Sequence, residues 1–187
     1  MPLTIISSPL PGLLYLEPKI FGDDRGFFYE SFSQRDFTAL GVEVSWVQDN
    51  HSKSAKGVLR GLHFQRGAVA QDKLVRVTAG RAWDVVVDVR RSSPTFGQWA
   101  GFELSGANKR MLYVPKGFAH GFVSLEDGTE FLYKCSNFYE PAQEAGIAWN
   151  DPDLAIPWPL EGLVPQLSGR DQKWPTLAQT PAEGLFP

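Results

Sequence analysis

The chain is short of the residues that carry much of enzyme chemistry. Among 187 residues it has one cysteine, two methionines and three histidines. The lone Cys135 excludes an intrachain disulfide and fits a reducing compartment. Neither charge is in large excess: 18 basic residues against 21 acidic ones leave a net charge of −3. That balance gives no global attraction to nucleic acid or an anionic membrane, so an anionic ligand must be held by a local cluster of Arg and Lys. No apolar run is long enough to span a bilayer. The start, Met1-Pro2-Leu3-Thr4-Ile5-Ile6, lacks the basic residues and cleavable apolar block of a signal peptide. A soluble, cytoplasmic protein is expected. No Gly-x-Gly-x-x-Gly leads from a strand into a helix and no Gly-x-x-x-x-Gly-Lys occurs, which disfavours a nucleotide-cofactor fold. Internal repeats, low-complexity tracts and interdomain linkers are also absent.

What is present is a long series of short apolar runs broken by turn residues. Hydrophobic residues make up 43% and aromatic residues 13%, enough for a substantial core in one domain spanning 1–187. Strands are expected over 26–32, 42–48, 58–65, 73–78, 82–89, 96–104, 110–114, 118–125 and 130–138, with a hairpin loop at Glu126-Asp127-Gly128-Thr129. The one convincing helix in the first three quarters begins at Ser33-Gln34-Arg35-Asp36, places Phe37 and Leu40 on one face and can end at Gly41. Many short strands with regular turns imply a mainly β chain, an antiparallel sandwich or barrel with a few short helices. The Pro- and Trp-rich stretch from Trp149 to Trp174 reads as a packed extension.

Chemistry sits on the strand faces. Gly57-Val58-Leu59-Arg60-Gly61-Leu62-His63-Phe64-Gln65 is an apolar strand interrupted by Arg60 and His63. A lone strand histidine is ordinarily a hydrogen-bonded core residue, and a lone arginine snorkels. Other strands, however, supply further polar groups on apolar faces. Lys73 shares a face with Val75 and Val77, Tyr133 with Phe131 and Cys135, and His120 with Phe118 and Phe122. Taken singly, Lys73 could reach solvent at a strand mouth and Tyr133 could be core. Taken together, they describe a small-molecule pocket with an imidazole, a phenol, an ammonium and a guanidinium. Arg60 and His63 are three apart, so both reach one cavity only if the strand bulges, and Gly61 suits a bulge.

Pro115-Lys116-Gly117-Phe118-Ala119-His120 resembles the second signature of the cupin superfamily, whose fold is a jelly-roll barrel. The first cupin signature is incomplete: it reads His63-Phe64-Gln65, with Lys73 where an acidic ligand would be wanted. Two imidazoles beside an ammonium make a poor cation cage. A metal-free and cofactor-free cupin is therefore expected, and the alternative is a metal-dependent cupin using His63 and His120.

The chain is also similar, from about Gly12 to Pro175, to the dTDP-4-dehydrorhamnose 3,5-epimerase family. The likeness rests on Asp24-Arg25-Gly26-Phe27-Phe28-Tyr29-Glu30-Ser31, Gln48-Asp49-Asn50-His51-Ser52, Leu59 to Gln65, Lys73 to Val77, Pro115 to Phe122, and Gly146-Ile147-Ala148-Trp149-Asn150-Asp151-Pro152, all in order. The resemblance implies inversion of the two carbons flanking the ketone of dTDP-4-dehydro-6-deoxy-D-glucose, a step in dTDP-rhamnose supply for cell-surface polysaccharide. It makes His63 the base, Tyr133 the acid, Asp171 the group that orients His63, and Lys73 the partner of the enolate oxygen. It assigns substrate binding to Arg25, Glu30, Gln48, Asp49, Asn50, Arg60, His120, Tyr139, Glu144 and Arg170, with Tyr139 stacking on thymine. It leaves His51 structural. It further implies a homodimer whose N-terminal strands are exchanged between subunits.

Three features depart from the family pattern. Arg170 replaces a lysine, the loop Arg66-Gly67-Ala68-Val69-Ala70 lacks a proline pair and is expected to be loose, and the tail 180–187 has no counterpart and is likewise expected to be loose. Two other functions remain compatible with the residues: a single-centre epimerase of a related dTDP-4-keto-deoxysugar, and a non-catalytic nucleotide-sugar-binding jelly roll.

Overall fold

A computed structural model describes residues 3–187. The Met1-Pro2 part of the N-terminal reading lies outside the described residues. Thirteen strands occur among those described: β1 (Leu3–Ser7), β2 (Leu14–Pro18), β3 (Phe21–Asp23), β4 (Gly26–Phe28), β5 (Gln48–Ser54), β6 (Leu59–Gln65), β7 (Lys73–Ala79), β8 (Arg81–Asp88), β9 (Trp99–Ser105), β10 (Met111–Val114), β11 (Phe118–Ser124), β12 (Thr129–Cys135) and β13 (Glu144–Gly146). They form a six-stranded sheet in the order β1-β2-β10-β7-β12-β5, a five-stranded sheet in the order β13-β6-β11-β8-β9, and the separate hairpin β3-β4. Every strand pair is antiparallel, giving the cupin-like sandwich that the alternating runs implied.

The space between the sheets is filled on one side by Leu13, Tyr15, Val75, Val77, Val86, Phe102, Leu112 and Phe118. The outer face of each sheet is covered as well. α1 (Gln34–Ala39) and its flanks lay Phe37, Val42 and Trp46 over Leu16, Leu74 and Met111 of the six-stranded sheet. The C-terminal extension lays Ile147, Leu154, Trp158 and Phe186 over Leu62, Phe64, Val85 and Val87 of the five-stranded one. Strands covered on both faces read as continuous apolar runs, which is why β8 shows almost no alternation. α1 starts as its sequence requires: the Ser33 hydroxyl accepts from the Asp36 amide, and Gly41 follows the helix with φ +81°.

Several expectations are corrected. Of the strand placed at 42–48, residues 42–47 are irregular chain and Gln48 opens β5. Glu126–Thr129 is not a hairpin loop, because β11 belongs to the five-stranded sheet and β12 to the six-stranded one. The exchange of N-terminal strands is an expectation about a second subunit, and within this chain β1 and β2 have their own place. They are hydrogen-bonded at the edge of this chain's own sheet, where Leu16 and Tyr15 find cores on either face. The loop after Arg66 is a short 3-10 turn, held where Arg66 N donates to Gln143 O and Asn137 Nδ2 donates to Ala70 O.

The tail is not loose. Phe186 bridges to Arg90, its ring lies 5.7 Å from that of Phe64, and Ser92 Oγ donates to Pro187 O. A phenylalanine with an apolar groove to enter holds the chain end against fraying. Among the described residues no helix is long and apolar enough to cross a membrane.

Candidate active site

On the side away from the main core, the sandwich opens into a cavity of about 390 Å³ bounded by both sheets. The five-stranded sheet supplies Arg60, His63, His120 and Phe122, and the six-stranded sheet supplies Asn50, Lys73, Phe131 and Tyr133. Stacked rings of Phe122 and Phe131, 4.1 Å apart at 2°, join the two walls.

The arrangement depends on the bulge in β6. His63 pairs with His120, and Arg60 pairs with Phe122, so Gly61 and Leu62 together oppose the single residue Gly121. His120 and Phe122 are two apart and share a face, and the extra residue brings Arg60 and His63 onto that face with them. Gly61 has φ +124°, and a Cβ built there would lie 2.5 Å from the Gly121 Cα and 2.8 Å from the His120 carbonyl oxygen. Neither a side-chain-bearing backbone conformation nor the space for a side chain is available at this point.

His63 Nε2 stands 3.6 Å from Asp171 Oδ1. Asp171 is buried at the start of a 3-10 turn, where its amide meets Ser168 Oγ and its carboxylate accepts from Trp174 Nε1. Removal from water holds the His63 imidazole well below its usual range, and the positive charges of Lys73, Arg170 and Arg60 push the same way. The His63 imidazole is therefore neutral at neutral pH. Opposite it, burial pushes the Tyr133 phenol up to about 12, so it keeps its proton. Lys73 lies on the face predicted for it, its ammonium 5.9 Å from the centre of the Tyr133 ring. Burial pulls the Lys73 amine down, and Cys135, Asp84 and Glu144 act in the opposite sense.

The cavity mouth is a polar chain. Arg170 Nη1 donates to Tyr139 OH and pairs with Glu144, and Tyr139 N donates to Gln48 Oε1. Gln48 Nε2 donates to Asn50 Oδ1, and Arg60 Nε donates to Ser54 Oγ.

The structure thus brings together His63, Tyr133, Asp171, Lys73, Gln48, Asn50, Arg60, His120, Tyr139, Glu144 and Arg170. Three expected residues lie elsewhere. Asp49 points to the opposite face of β5 and takes Lys134 Nζ at 3.0 Å, as strand alternation demands. Arg25 is in the β3–β4 hairpin, strongly exposed and paired with Asp23, and Glu30 beyond it does not line this cavity. His51 is outward too, 3.3 Å from Glu130. Residues not anticipated include Ser52, Gln65, Gln71, Cys135 and Ser168 in the lining, and Asp84 behind His120. Asp84 was readable in principle, since a carboxylate in the run Ala82–Val89 shares the parity of buried Val86. Among the described residues no group of three or more His, Cys, Asp or Glu is placed to hold a metal ion.

The family model described as dTDP-4-dehydrorhamnose 3,5-epimerase matches residues 7–179. A protein of that name from Salmonella typhimurium is 56% identical over 178 residues, covering 95% of this chain and 97% of its own. The crystal structure of a dTDP-6-deoxy-D-glucose-3,5-epimerase from Legionella pneumophila, in complex with dTDP-4-keto-L-rhamnose, is 51% identical with a TM-score of 0.94, covering 98% of this chain and 97% of that one. More distant is a 3'-monoepimerase from Streptomyces bikiniensis in complex with dTDP-quinovose, 38% identical with a TM-score of 0.90 over 96% of this chain and 91% of that one. On the family match and these identities, the chain belongs to the dTDP-4-dehydrorhamnose 3,5-epimerase family.

Proposed function

We propose that this enzyme converts dTDP-4-dehydro-6-deoxy-D-glucose to dTDP-4-dehydro-L-rhamnose by inverting C3 and C5, in the supply of dTDP-L-rhamnose. One observation carries the chemistry: a neutral imidazole and a protonated phenol stand on opposite walls of one cavity. Inversion next to a ketone needs a proton removed from one face of the ring and returned to the other. His63 takes the proton flanking the C4 ketone, leaving an enolate. The Lys73 ammonium faces the enolate oxygen, a placement whose loss typically costs about 3–4 kcal/mol of transition-state stabilisation. Tyr133 delivers its proton to the opposite face, and exchange with water resets both groups. Asp171 orients His63. Their separation of 3.6 Å in the free protein is of the kind that shortens when substrate fills a site.

Arg170 and Arg60 are the cations available to the diphosphate, and the exposed ring of Tyr139 at the mouth is the platform for thymine. Arg25 and Glu30 fit this scheme as residues supplied to a second subunit's cavity in a homodimer. Supporting that reading, the β3–β4 hairpin exposes Phe21, Phe27 and Phe28.

The test is incubation with dTDP-4-dehydro-6-deoxyglucose in deuterated water, with and without a chelator. Deuterium at both C3 and C5, insensitive to chelation, is expected. Label at one carbon would make the protein a single-centre epimerase, absence of label would make it a binding module, and chelator sensitivity would require a metal.

A further inference from the structure

Two histidine–carboxylate pairs lie side by side in this site, and they differ. The His63–Asp171 pair is long, and Asp171 shares its Oδ1 with Trp174. The second pair is short and sealed. His120 Nε2 lies 3.0 and 2.9 Å from the two oxygens of Asp84, which has no exposed surface. Asp84 projects from β8 between Ala82 and Val86, both core residues, and it does not line the cavity itself. An ionised carboxylate in such surroundings is costly, and one hydrogen-bonded ring is a small return in stability.

We infer that Asp84 is a positioning residue: it fixes the ring orientation and tautomer of His120, so that His120 meets the substrate with an unprotonated Nδ1. The inference rests on the proposed epimerase reading for the identity of that substrate. With Nε2–H committed to Asp84, Nδ1 is the polar atom His120 has left, and it can only accept. A sugar hydroxyl is a donor for it. His120 is the direct ladder partner of His63, so a hydroxyl held by His120 registers the ring carbons against the base one strand away. A flipped tautomer would set a bare Nε2 against the Asp84 carboxylate and present N–H to the same hydroxyl, which would then accept and turn its own proton away.

Asp84 has a second effect through its charge. Lys73 faces Tyr133 and Cys135 from β12, His63 from β6, Glu144 from β13 and Asp84 from β8, while its ladder neighbour on β10, Val114, is apolar. Burial raises the Asp84 carboxyl and His120 and Lys73 oppose that rise, and the ionised form supports the Lys73 ammonium against its desolvation.

Two measurements decide the matter. In ligand-free wild-type protein labelled with ¹⁵N-histidine, the neutral ring of His120 is expected as the Nε2–H tautomer. A ring protonated at Nδ1 would overturn the inference, whatever the protein turns out to catalyse. In Asp84→Asn, which keeps the shape and removes the charge, kcat/KM is expected to fall about tenfold or more, the range typical of a lost orienting partner. KM should rise, and the alkaline limb of the pH profile should move to lower pH. A variant that merely folded less well would lose kcat with KM and the limb unmoved, and that result would refute the positioning role. If Asp84→Asn does not fold, the wild-type tautomer decides alone. If wild-type protein incorporates no deuterium from the solvent, the epimerase reading fails while the tautomer measurement still judges the hold of Asp84 on His120.

Discussion

Replacing Gly61 by alanine should damage both stability and catalysis, by amounts that follow from the bulge. A methyl group at this position meets the Gly121 Cα at 2.5 Å and the His120 carbonyl oxygen at 2.8 Å, and both are backbone atoms that cannot rotate away. Ordinary contact begins near 3.4 Å, so β6 and β11 must part by about 1 Å. Forcing a side chain into a backbone region suited to glycine costs about 1–3 kcal/mol. Overpacking adds about 1–3 kcal/mol. Together these predict a loss near 4 kcal/mol, or roughly 8–16 °C in Tm for a chain of this size. The parting also moves His63, which is one ladder position from the clash, and a misplacement of about 1 Å costs on the order of 100-fold in rate. Thermal denaturation followed by circular dichroism, with kcat/KM on the folded variant at 20 °C, measures both. Gly22→Ala is the control: its nearest neighbour is Gly26 O at 3.6 Å, so it should stay within about 0.5 kcal/mol of the parent. A Gly61→Ala protein with a Tm within about 2 °C of the parent and activity within about threefold would show that the bulge does not place the base.

The depressed His63 imidazole makes two pH predictions of the same sign. The acid limb of kcat/KM should lie below pH ~6.5, the ordinary histidine value, because the base stays neutral past it. His63 takes up a proton in the unfolded chain before it does so in the folded one, so its presence is neutral to stability above pH ~6.5 and lowers stability as pH falls below that. His63→Gln should flatten that part of a urea-denaturation pH series, and an unchanged slope would count against the desolvated imidazole. Tyr133→Phe should leave solvent exchange at the substrate carbons faster than product formation, and equal losses in the two would remove Tyr133 from the acid role. Phe186→Ala should cost about 1–2 kcal/mol, since its half-buried ring covers Phe64 behind the base strand, and a Tm equal to the parent's would mean the tail is not docked in solution.

The parts of the molecule legible in the sequence are those where burial and chemistry coincide on one strand face. Lys73, His120 and Tyr133 stood out because each interrupts an apolar face, and the bulge at Gly61 followed from the odd spacing of Arg60 and His63. The opaque part is β5. Its sequence, Gln48-Asp49-Asn50-His51-Ser52-Lys53-Ser54, has no apolar alternation, because one face meets solvent and the other meets a wet cavity. It is a strand only because β12 offers it a ladder. Hydrophobic period therefore fails at a sheet edge that forms a binding surface, and it marked 42–48 as the strand instead. The loop at 126–129 misled for a different reason: turn residues report a reversal of the chain and not which sheet the next strand joins. Asp84 was hidden by the double-sided burial of β8, where almost every position is apolar and parity is easily overlooked.

Lys73 gives the sharpest test of whether this site trades stability for chemistry. Half-buried Lys73 carries its ammonium into the cavity beside Phe131 and Tyr133, and no carboxylate among the described residues forms a salt bridge with it. The downward pull on its amine is a statement that the folded state tolerates the charge less well than water does. Lys73→Met keeps the length of the side chain and removes the charge. Relieving a functional-site strain of this kind commonly returns about 0.5–2 kcal/mol, so Tm should rise, by roughly 2–4 °C for each kcal/mol. The same variant should lose roughly 3–4 kcal/mol of transition-state stabilisation, or on the order of several hundredfold in kcat, if the ammonium faces the enolate oxygen. A fall in Tm would mean that Asp84 and Glu144, acting at a distance, more than offset the desolvation, and the ammonium would then be a structural counter-charge. Loss of activity, in kcat more than in KM, together with a gain in Tm is the result expected of a charge held ready for a developing oxyanion.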